Sequence, residues 1–247
     1  NELNVAGGNT IKVTAAQATG TLTIDANDAA TDTAMTLDLD ANTLGITTED
    51  IDTLTIDLGT IARTIGGAGL EAQANNDTAV TIAGTNDLTM TDELATGNLT
   101  MSVDDANLEE VDADGTVSIT TTNDVILTAA YNSENDTTIV ADDVDLQATV
   151  NTQVGSMTIT TTNDATLTGV VDIDGSLTVT SGGTALIEDT SAVENDVTLT
   201  GDDVTISAVD AAGAMTATAG NISITTTNDA DINGDITTTA GNISITS

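Results

Sequence analysis

The chain has 247 residues, of which 40 are acidic and two, Lys12 and Arg63, are basic, so its formal charge is −38. It contains no Phe, Trp, Pro, Cys or His, and Tyr131 is its single aromatic residue. Nucleic acid and anionic membrane surfaces are excluded as partners because both require clustered cations. Disulfide and thiol chemistry are excluded by the lack of Cys. Chains this acidic are often disordered, but 39% of the residues are apolar and recur periodically, so we expect a folded body with a narrow interior.

The first 75 residues carry short strand-like segments at irregular spacing. These segments occupy residues 11–13, 22–24, 35–39 and 54–58, and a glycine-rich stretch occupies residues 66–69. We interpret residues 1–75 as less regular solenoid rungs with longer corners, or as a distinct cap. The chain begins at Asn1 rather than Met, so we expect a processed chain or a piece of a longer one. Apolar runs stay well short of the ~18 residues that span a membrane, so we expect no membrane insertion.

Residues 76–247 form a regular repeat. Each repeat has three parts, and each part is a turn followed by a short alternating strand, as in GSMTITT, TNDATLT and GVVDID from Gly155 onward. Successive repeats are spaced by about 18 to 21 residues. Strands this short cannot fold as isolated hairpins, but stacked rungs pair with the rungs above and below them. The sequence therefore predicts an all-β fold, a right-handed parallel β-helix or three-sided β-solenoid with about 18–21 residues per rung.

The alternation inside each strand predicts which side chains point inward. Met157 and Ile159 are expected inside, and Thr158 and Thr160 outside. Gly and Asn–Asp pairs at the corners are typical of backbone with φ > 0. The last rung stops at Ser247 without a polar capping segment, so we expect that the native sequence continues or that subunits stack end to end.

Acidic residues recur at the corner between the first and second strands of each repeat. Stacked carboxylates about 5 Å apart repel, and calcium, which takes six to eight oxygen ligands, would relieve that repulsion. The alternative is that Asp and Asn are turn residues whose charges keep the protein soluble. The corner before the first strand offers a second column, with Asn135, Asp136, Asp174, Asn195 and Asp196. The candidate calcium residues of the first column are Asp104, Asp105, Asp124, Asp142, Asp143, Asp164, Asp202 and Asp203.

A Thr-x-Thr pattern marks the outward side of the first strand, with an interruption at Thr138 and Val140. Stacked, it would form a flat two-column array of hydroxyl groups that resembles the ice-binding face of β-solenoid antifreeze proteins. The alternative is that Thr is a favoured β residue whose cross-strand contacts hold register. The array comprises Thr100, Ser102, Ser118, Thr120, Thr158, Thr160, Thr178, Thr180, Thr198, Thr200, Thr216 and Thr218.

Catalytic residue types are scarce. With no His or Cys and two cations, the remaining option is a pair of carboxylates that hydrolyses glycosidic bonds. The aromatic platforms and basic groups that grip sugars in such enzymes are missing. We therefore expect that this protein is not an enzyme.

Units such as GNISITTTND and GSMTITTTND, in a Cys-free chain rich in Thr, Ala, Asn, Asp and Gly, resemble the β-solenoid regions of bacterial surface-layer proteins and very large secreted adhesins. The resemblance implies a place outside the cell or on its surface, often with calcium. The function we expect is a structural subunit of a surface layer or extracellular filament, which self-associates with the help of divalent cations. The alternatives are the repeat stalk of a large adhesin and an ice-binding solenoid.

Overall fold

The protein forms two compact units, Asn1–Thr122 and Asn123–Ser247. The computed structural model describes residues 2–4, 10–13, 21–25, 34–39, 43–49, 53–57, 63–73, 79–91, 93–189, 191–206, 214–218 and 220–247. All regular structure in these ranges is β-strand, and the strands pair in parallel, as β-solenoid rungs do. The division predicted at residues 75 and 76 falls inside the first unit and stays a prediction.

The first unit contains fourteen described strands in three stacks. The first stack contains β2, β4, β6, β8, β11 and β14; the second contains β9 and β12; the third contains β1, β3, β10 and β13. The longer strands β5 and β7 pass from the second stack into the third. The strands are β1 Glu2–Asn4, β2 Thr10–Val13, β3 Thr21–Asp25, β4 Ala34–Leu39, β5 Thr43–Glu49, β6 Thr53–Asp57, β7 Arg63–Gln73, β8 Ala79–Ala83, β9 Leu88–Met90, β10 Glu93–Thr96, β11 Leu99–Val103, β12 Ala106–Leu108, β13 Glu110–Ala113 and β14 Val117–Thr121.

The second unit repeats the same three stacks. Its first stack runs β17, β20, β23, β26, β29, β32; its second runs β15, β18, β21, β24, β27, β30; its third runs β16, β19, β22, β25, β28, β31. The strands are β15 Val125–Leu127, β16 Tyr131–Ser133, β17 Thr137–Ala141, β18 Val144–Leu146, β19 Val150–Thr152, β20 Met157–Thr161, β21 Ala165–Leu167, β22 Val171–Ile173, β23 Leu177–Ser181, β24 Thr184–Ile187, β25 Ser191–Val193, β26 Val197–Gly201, β27 Asp203–Ile206, β28 Ala214–Ala217, β29 Ile222–Thr226, β30 Ala230–Ile232, β31 Asp235–Thr238 and β32 Ile243–Thr246.

One rung, a single pass through the three stacks, matches the predicted repeat over most of the second unit. Ser156 and Ser176 occupy equivalent positions 20 residues apart, and Asn221 and Asn242 are 21 apart. The rung that connects Asp196 to Asn221 is longer, at 25 residues. The fold is therefore a parallel β-solenoid with three strand stacks, as the sequence predicted, and its right-handedness stays a prediction.

The described strands of the irregular N-terminal segment pair in parallel within the stacks of the first unit. The segments predicted at residues 11–13, 22–24, 35–39 and 54–58 correspond to β2, β3, β4 and β6. The glycine-rich residues 66–69 form an irregularity within β7, since Leu44 pairs with Ile65 whereas Ile46 pairs with Leu70. Four residues of one rung thus face a single residue of its neighbour, as in an enlarged β-bulge.

The interior is built from the apolar side of each strand. Met157 and Ile159 are fully buried, and Thr160 is exposed. The predicted strand facing is therefore confirmed, with Thr158 half-buried on the outer side. Val, Ile, Leu, Met and Ala fill the core, as expected, and Tyr131 is buried among them.

Corner glycines are required by close approach of backbones, not by a positive φ. A Cβ on Gly175 would overlap the carbonyl oxygen of Gly155 in the preceding rung, and a Cβ on Gly241 would overlap that of Gly220. Neither Gly175 nor Gly241 has φ in the left-handed region. The expectation that these corner glycines supply φ > 0 was wrong, because rungs stacked at ~4.8 Å leave no space for a Cβ there.

Candidate functional site

Two columns of hydroxyl groups cover the first stack of the second unit, here called the hydroxyl face. Thr158 is in register with Thr178, and Thr160 with Thr180. The next rung extends these pairs to Thr198 and Thr200. Val140 lies in register with Thr160 and interrupts one column, as predicted. In the first unit, β11 and β14 carry the same type of pattern, with the register pairs Thr100 with Ser118 and Ser102 with Thr120.

Two residues predicted for this array lie elsewhere. Thr216 belongs to β28 in the third stack, where its register partners are Ala192 and Thr237, and Thr218 directly follows that strand. The prediction was wrong because the sequence GAMTATA resembles a first strand, whereas the longer rung carries it to another side. Ser223 and Thr225 continue the hydroxyl columns instead, followed by Ser244 and Thr246.

Within the described residues, the hydroxyl face carries no charge at its outward positions, and neither do β8, β11 and β14 of the first unit. The outward positions of these strands are occupied by Thr and Ser, apart from Ala79, Ala83 and Val140. Charged residues do occur on the outward sides of the other stacks, for example Asp145 in β18 and Asp172 in β22. In a chain with a formal charge of −38, this uncharged face is a distinct surface.

The predicted acidic corner is a stacked column, here called the acidic column, directly before the second stack. In the second unit it includes Asp143 and Asp164, which directly precede β18 and β21, and Asp203, which is the first residue of β27. Their carboxylates accept backbone N–H groups from the next rung. Asp143 Oδ1 accepts from Asp164 N at 2.7 Å, Asp164 Oδ1 from Thr184 N at 2.7 Å, and Asp203 Oδ1 from Asp229 N at 3.1 Å. Asp124 stands one rung before Asp143 in the same column.

The residues one sequence position before each member of the acidic column alternate between charged and neutral side chains. Asn123, Asp142 and Asn163 follow one another through backbone hydrogen bonds of 2.6 and 2.9 Å. Asn163 Nδ2 donates to Asp142 Oδ2 at 2.9 Å, and Thr162 donates to Oδ1 of the same carboxylate. Further along, Asp202 lies between Gly183 and Asn228. Because no Asp stacks directly on another Asp in this run, like-charge repulsion is reduced.

A third column, which the sequence did not single out as a whole, lies directly before the first stack. It is here called the corner ladder, and each member's side-chain oxygen accepts the backbone N–H of the next member. Asp136 and Asp196 of the second predicted column belong to the corner ladder. Asp174 of that column instead accepts a hydrogen bond from Asn195 Nδ2 at its backbone oxygen. The bonds run from Ser156 N to Asp136 Oδ1 at 2.9 Å, Ser176 N to Ser156 Oγ at 3.0 Å, Asp196 N to Ser176 Oγ at 3.3 Å, Asn221 N to Asp196 Oδ1 at 2.7 Å, and Asn242 N to Asn221 Oδ1 at 3.0 Å.

The first unit has an acidic corner of its own before its second stack, where carboxylates affect one another directly. Asp105 stands one rung beyond Asp87, since Ala106 is in register with Leu88. Burial raises the pKa of Asp87, and the charge of Asp105, a hydrogen bond with it and the charge of Asp104 raise that pKa further. Two of the predicted candidates, Asp104 and Asp105, thus act through their charges on Asp87, which the sequence did not single out.

The corner carboxylates do not converge on a common centre. Across the described part of the chain, no group of three or more His, Cys, Asp or Glu side chains is arranged to hold a metal ion. Several carboxylates point along the stack toward backbone N–H groups, so the protein itself supplies part of the compensation that calcium was expected to provide. Calcium binding by these eight Asp residues stays a prediction.

A groove on the second stack includes Asp203 of the acidic column. It is lined by Thr184, Asp203, Thr205, Asp229, Ala230 and Asp231. Its polar groups are carboxylates and hydroxyls, with no cation or aromatic ring among them.

The described residues define an acidic parallel β-solenoid whose second unit has an uncharged hydroxyl face. No protein-family model, curated protein or solved structure matches the chain. The described residues include no helix with the length and apolarity needed to cross a membrane.

Proposed function

We propose that this protein is a structural, self-associating solenoid of the cell exterior, a subunit of a surface layer or filament. The observation that carries the proposal is the uncharged hydroxyl face on a chain whose formal charge is −38. Two strongly acidic bodies repel wherever their charges meet. Lateral contact is therefore least costly through the face that carries no carboxylate.

Divalent cations belong to the same proposal. Acidic residues border the hydroxyl face at both corners, for example Asp143 on one side and Asp196 on the other. When two such faces approach, these borders meet and repel unless cations neutralise them. Calcium suits this role because its ligands are carboxylate, carbonyl and water oxygens, and because it accepts irregular geometry.

The experiment is electron microscopy of the purified chain with calcium and after chelation. The proposal expects ordered sheets or filaments with calcium and separate particles after chelation. Separate particles under both conditions would contradict it and would favour the alternative of an adhesin stalk, since a stalk needs no lateral contacts.

A second candidate function is ice binding. The two hydroxyl columns are in register over successive rungs, and a regular flat array is the property on which that function depends. Thermal hysteresis is its test. A chain that lowers the freezing point without assembling would favour ice binding over a surface layer.

A further inference from the structure

Asn98 begins an Asn-x-Ser/Thr sequence at an exposed corner of the first unit. The three residues are Asn98, Leu99 and Thr100, the acceptor pattern for N-linked glycans in secreted proteins. Asn98 and Thr100 are exposed, whereas Leu99 is buried. Since side chains alternate along an extended chain, the Asn98 amide and the Thr100 hydroxyl lie on the same, outward side.

The two polar atoms of Asn98 are used differently. Its Oδ1 accepts hydrogen bonds from the backbone N of Thr116 at 2.8 Å and from Thr116 Oγ1 at 2.9 Å. These bonds tie one rung to the next and do not involve Nδ2. An N-linked sugar attaches at Nδ2 and leaves the amide oxygen in place as an acceptor. The modification is thus compatible with the native stacking of this corner.

The other described matches to the pattern are less suitable. Asn221 and Asn242 stand in adjacent rungs, with Asn242 N donating to Asn221 Oδ1 at 3.0 Å. A separation of ~4.8 Å between rungs leaves no room for a sugar on both. Asn135 is followed by Thr137, whose hydroxyl is buried against Tyr131. Asn98, by contrast, has Ala79 opposite it in one neighbouring rung and Thr116 in the other.

We propose that Asn98 is a glycosylation site whose co-substrate is a sugar activated by a phosphate leaving group at C1. A bond forms between Nδ2 and C1, the bond from C1 to the phosphate oxygen breaks, and Nδ2 loses one proton. The leaving phosphate keeps the electron pair of the broken bond. The inference rests on the proposed place outside the cell. A sugar here would cover the border of the first stack in the first unit and leave lateral contact to the hydroxyl face of the second unit.

The test is peptide mapping by mass spectrometry of the chain produced in its own source cells, with exterior and cytoplasmic fractions collected separately. We expect a sugar mass on the peptide containing Asn98, lost in Asn98→Gln and in Thr100→Ala, and kept in Thr100→Ser. Asn163→Gln is the matched control, since Asn163 is an exposed corner Asn followed by Asp164 and Ala165; it should keep the sugar.

The outcomes separate this inference from the proposed function. An exterior chain with unmodified Asn98 overturns the glycosylation site and leaves the structural proposal intact. An unmodified chain confined to the cytoplasm overturns both. A sugar that survives Asn98→Gln on the same peptide also contradicts the assignment to Asn98.

Discussion

The hydroxyl of Tyr131 lies 2.6 Å from Oγ1 of Thr137 inside the second unit. Ser133 Oγ is 3.0 Å from the same Thr oxygen, and Tyr131 is 1% exposed. The following rung carries the larger Met157 in register with Thr137. The aromatic ring of Tyr131 therefore fits the narrow core because Thr137, which is smaller than Met157, faces it. The Tyr131 hydroxyl has a hydrogen-bond partner there.

This contact predicts coupling between the two residues. Thr137→Val should cost about 1–3 kcal/mol of unfolding free energy, because it leaves the buried Tyr131 hydroxyl with fewer partners. Tyr131→Phe should cost about 1 kcal/mol. The double variant should lose less than the sum of the two, as measured by urea unfolding in a double-mutant cycle. Additive losses would show that the hydrogen bond makes no contribution.

Strand facing predicts a large difference between neighbouring positions. Ile159→Asp places an unpaired carboxylate in a fully buried site and should lower the unfolding free energy by ~4 kcal/mol or more. Thr158→Asp, on the outward side, should cost ~1 kcal/mol or less. Ile159→Val controls for loss of volume and should cost about 1 kcal/mol. Equal losses for the two Asp variants would contradict the assigned facing.

The corner ladder predicts a local change in backbone protection. Ser176→Ala removes the oxygen that accepts the Asp196 N–H at 3.3 Å. Amide hydrogen exchange at Asp196 should then accelerate, with a stability loss of ~1 kcal/mol. Ser223→Ala, on the hydroxyl face, is the control and should leave that amide unchanged. An unchanged exchange rate of the Asp196 amide in Ser176→Ala would mean that the corner ladder does not protect this amide.

Stability should fall as pH rises through the range in which Asp87 ionises. Burial and the charges of Asp105 and Asp104 raise the pKa of Asp87 above its ordinary value of 3.8. The folded state therefore holds the proton more tightly than the unfolded state, and its advantage is lost with rising pH. Asp87→Asn, which keeps an acceptor oxygen, should raise the thermal midpoint at pH 7 and have little effect below the ordinary pKa.

Asp231→Asn is the control for this pH prediction, because it removes the same charge from an exposed position of the second stack. Its gain at pH 7 should be smaller than that of Asp87→Asn. A lower midpoint for Asp87→Asn at every pH would show that its carboxylate stabilises the fold.

The fold followed from the sequence because a short repeat of alternating strands leaves few ways to bury its apolar side. The position of Thr216 did not follow, since a local pattern cannot reveal that one rung has 25 residues where its neighbours have 20 and 21. The corner glycines were correctly placed but wrongly explained, because close approach depends on the neighbouring rung rather than on the local turn. The acidic column was also predicted from the sequence. Its hydrogen bonds to backbone N–H groups were not, because they depend on the register between neighbouring rungs.

The most direct test of lateral assembly through the hydroxyl face compares two variants that add the same charge. Thr180→Glu introduces a carboxylate in the hydroxyl face between Thr160 and Thr200. Thr216→Glu introduces one in the third stack between Ala192 and Thr237, which are also uncharged. By electron microscopy with calcium, Thr180→Glu should fail to form the ordered assemblies that the wild-type chain and Thr216→Glu form. Ordered assemblies of Thr180→Glu equal to those of Thr216→Glu would contradict the account.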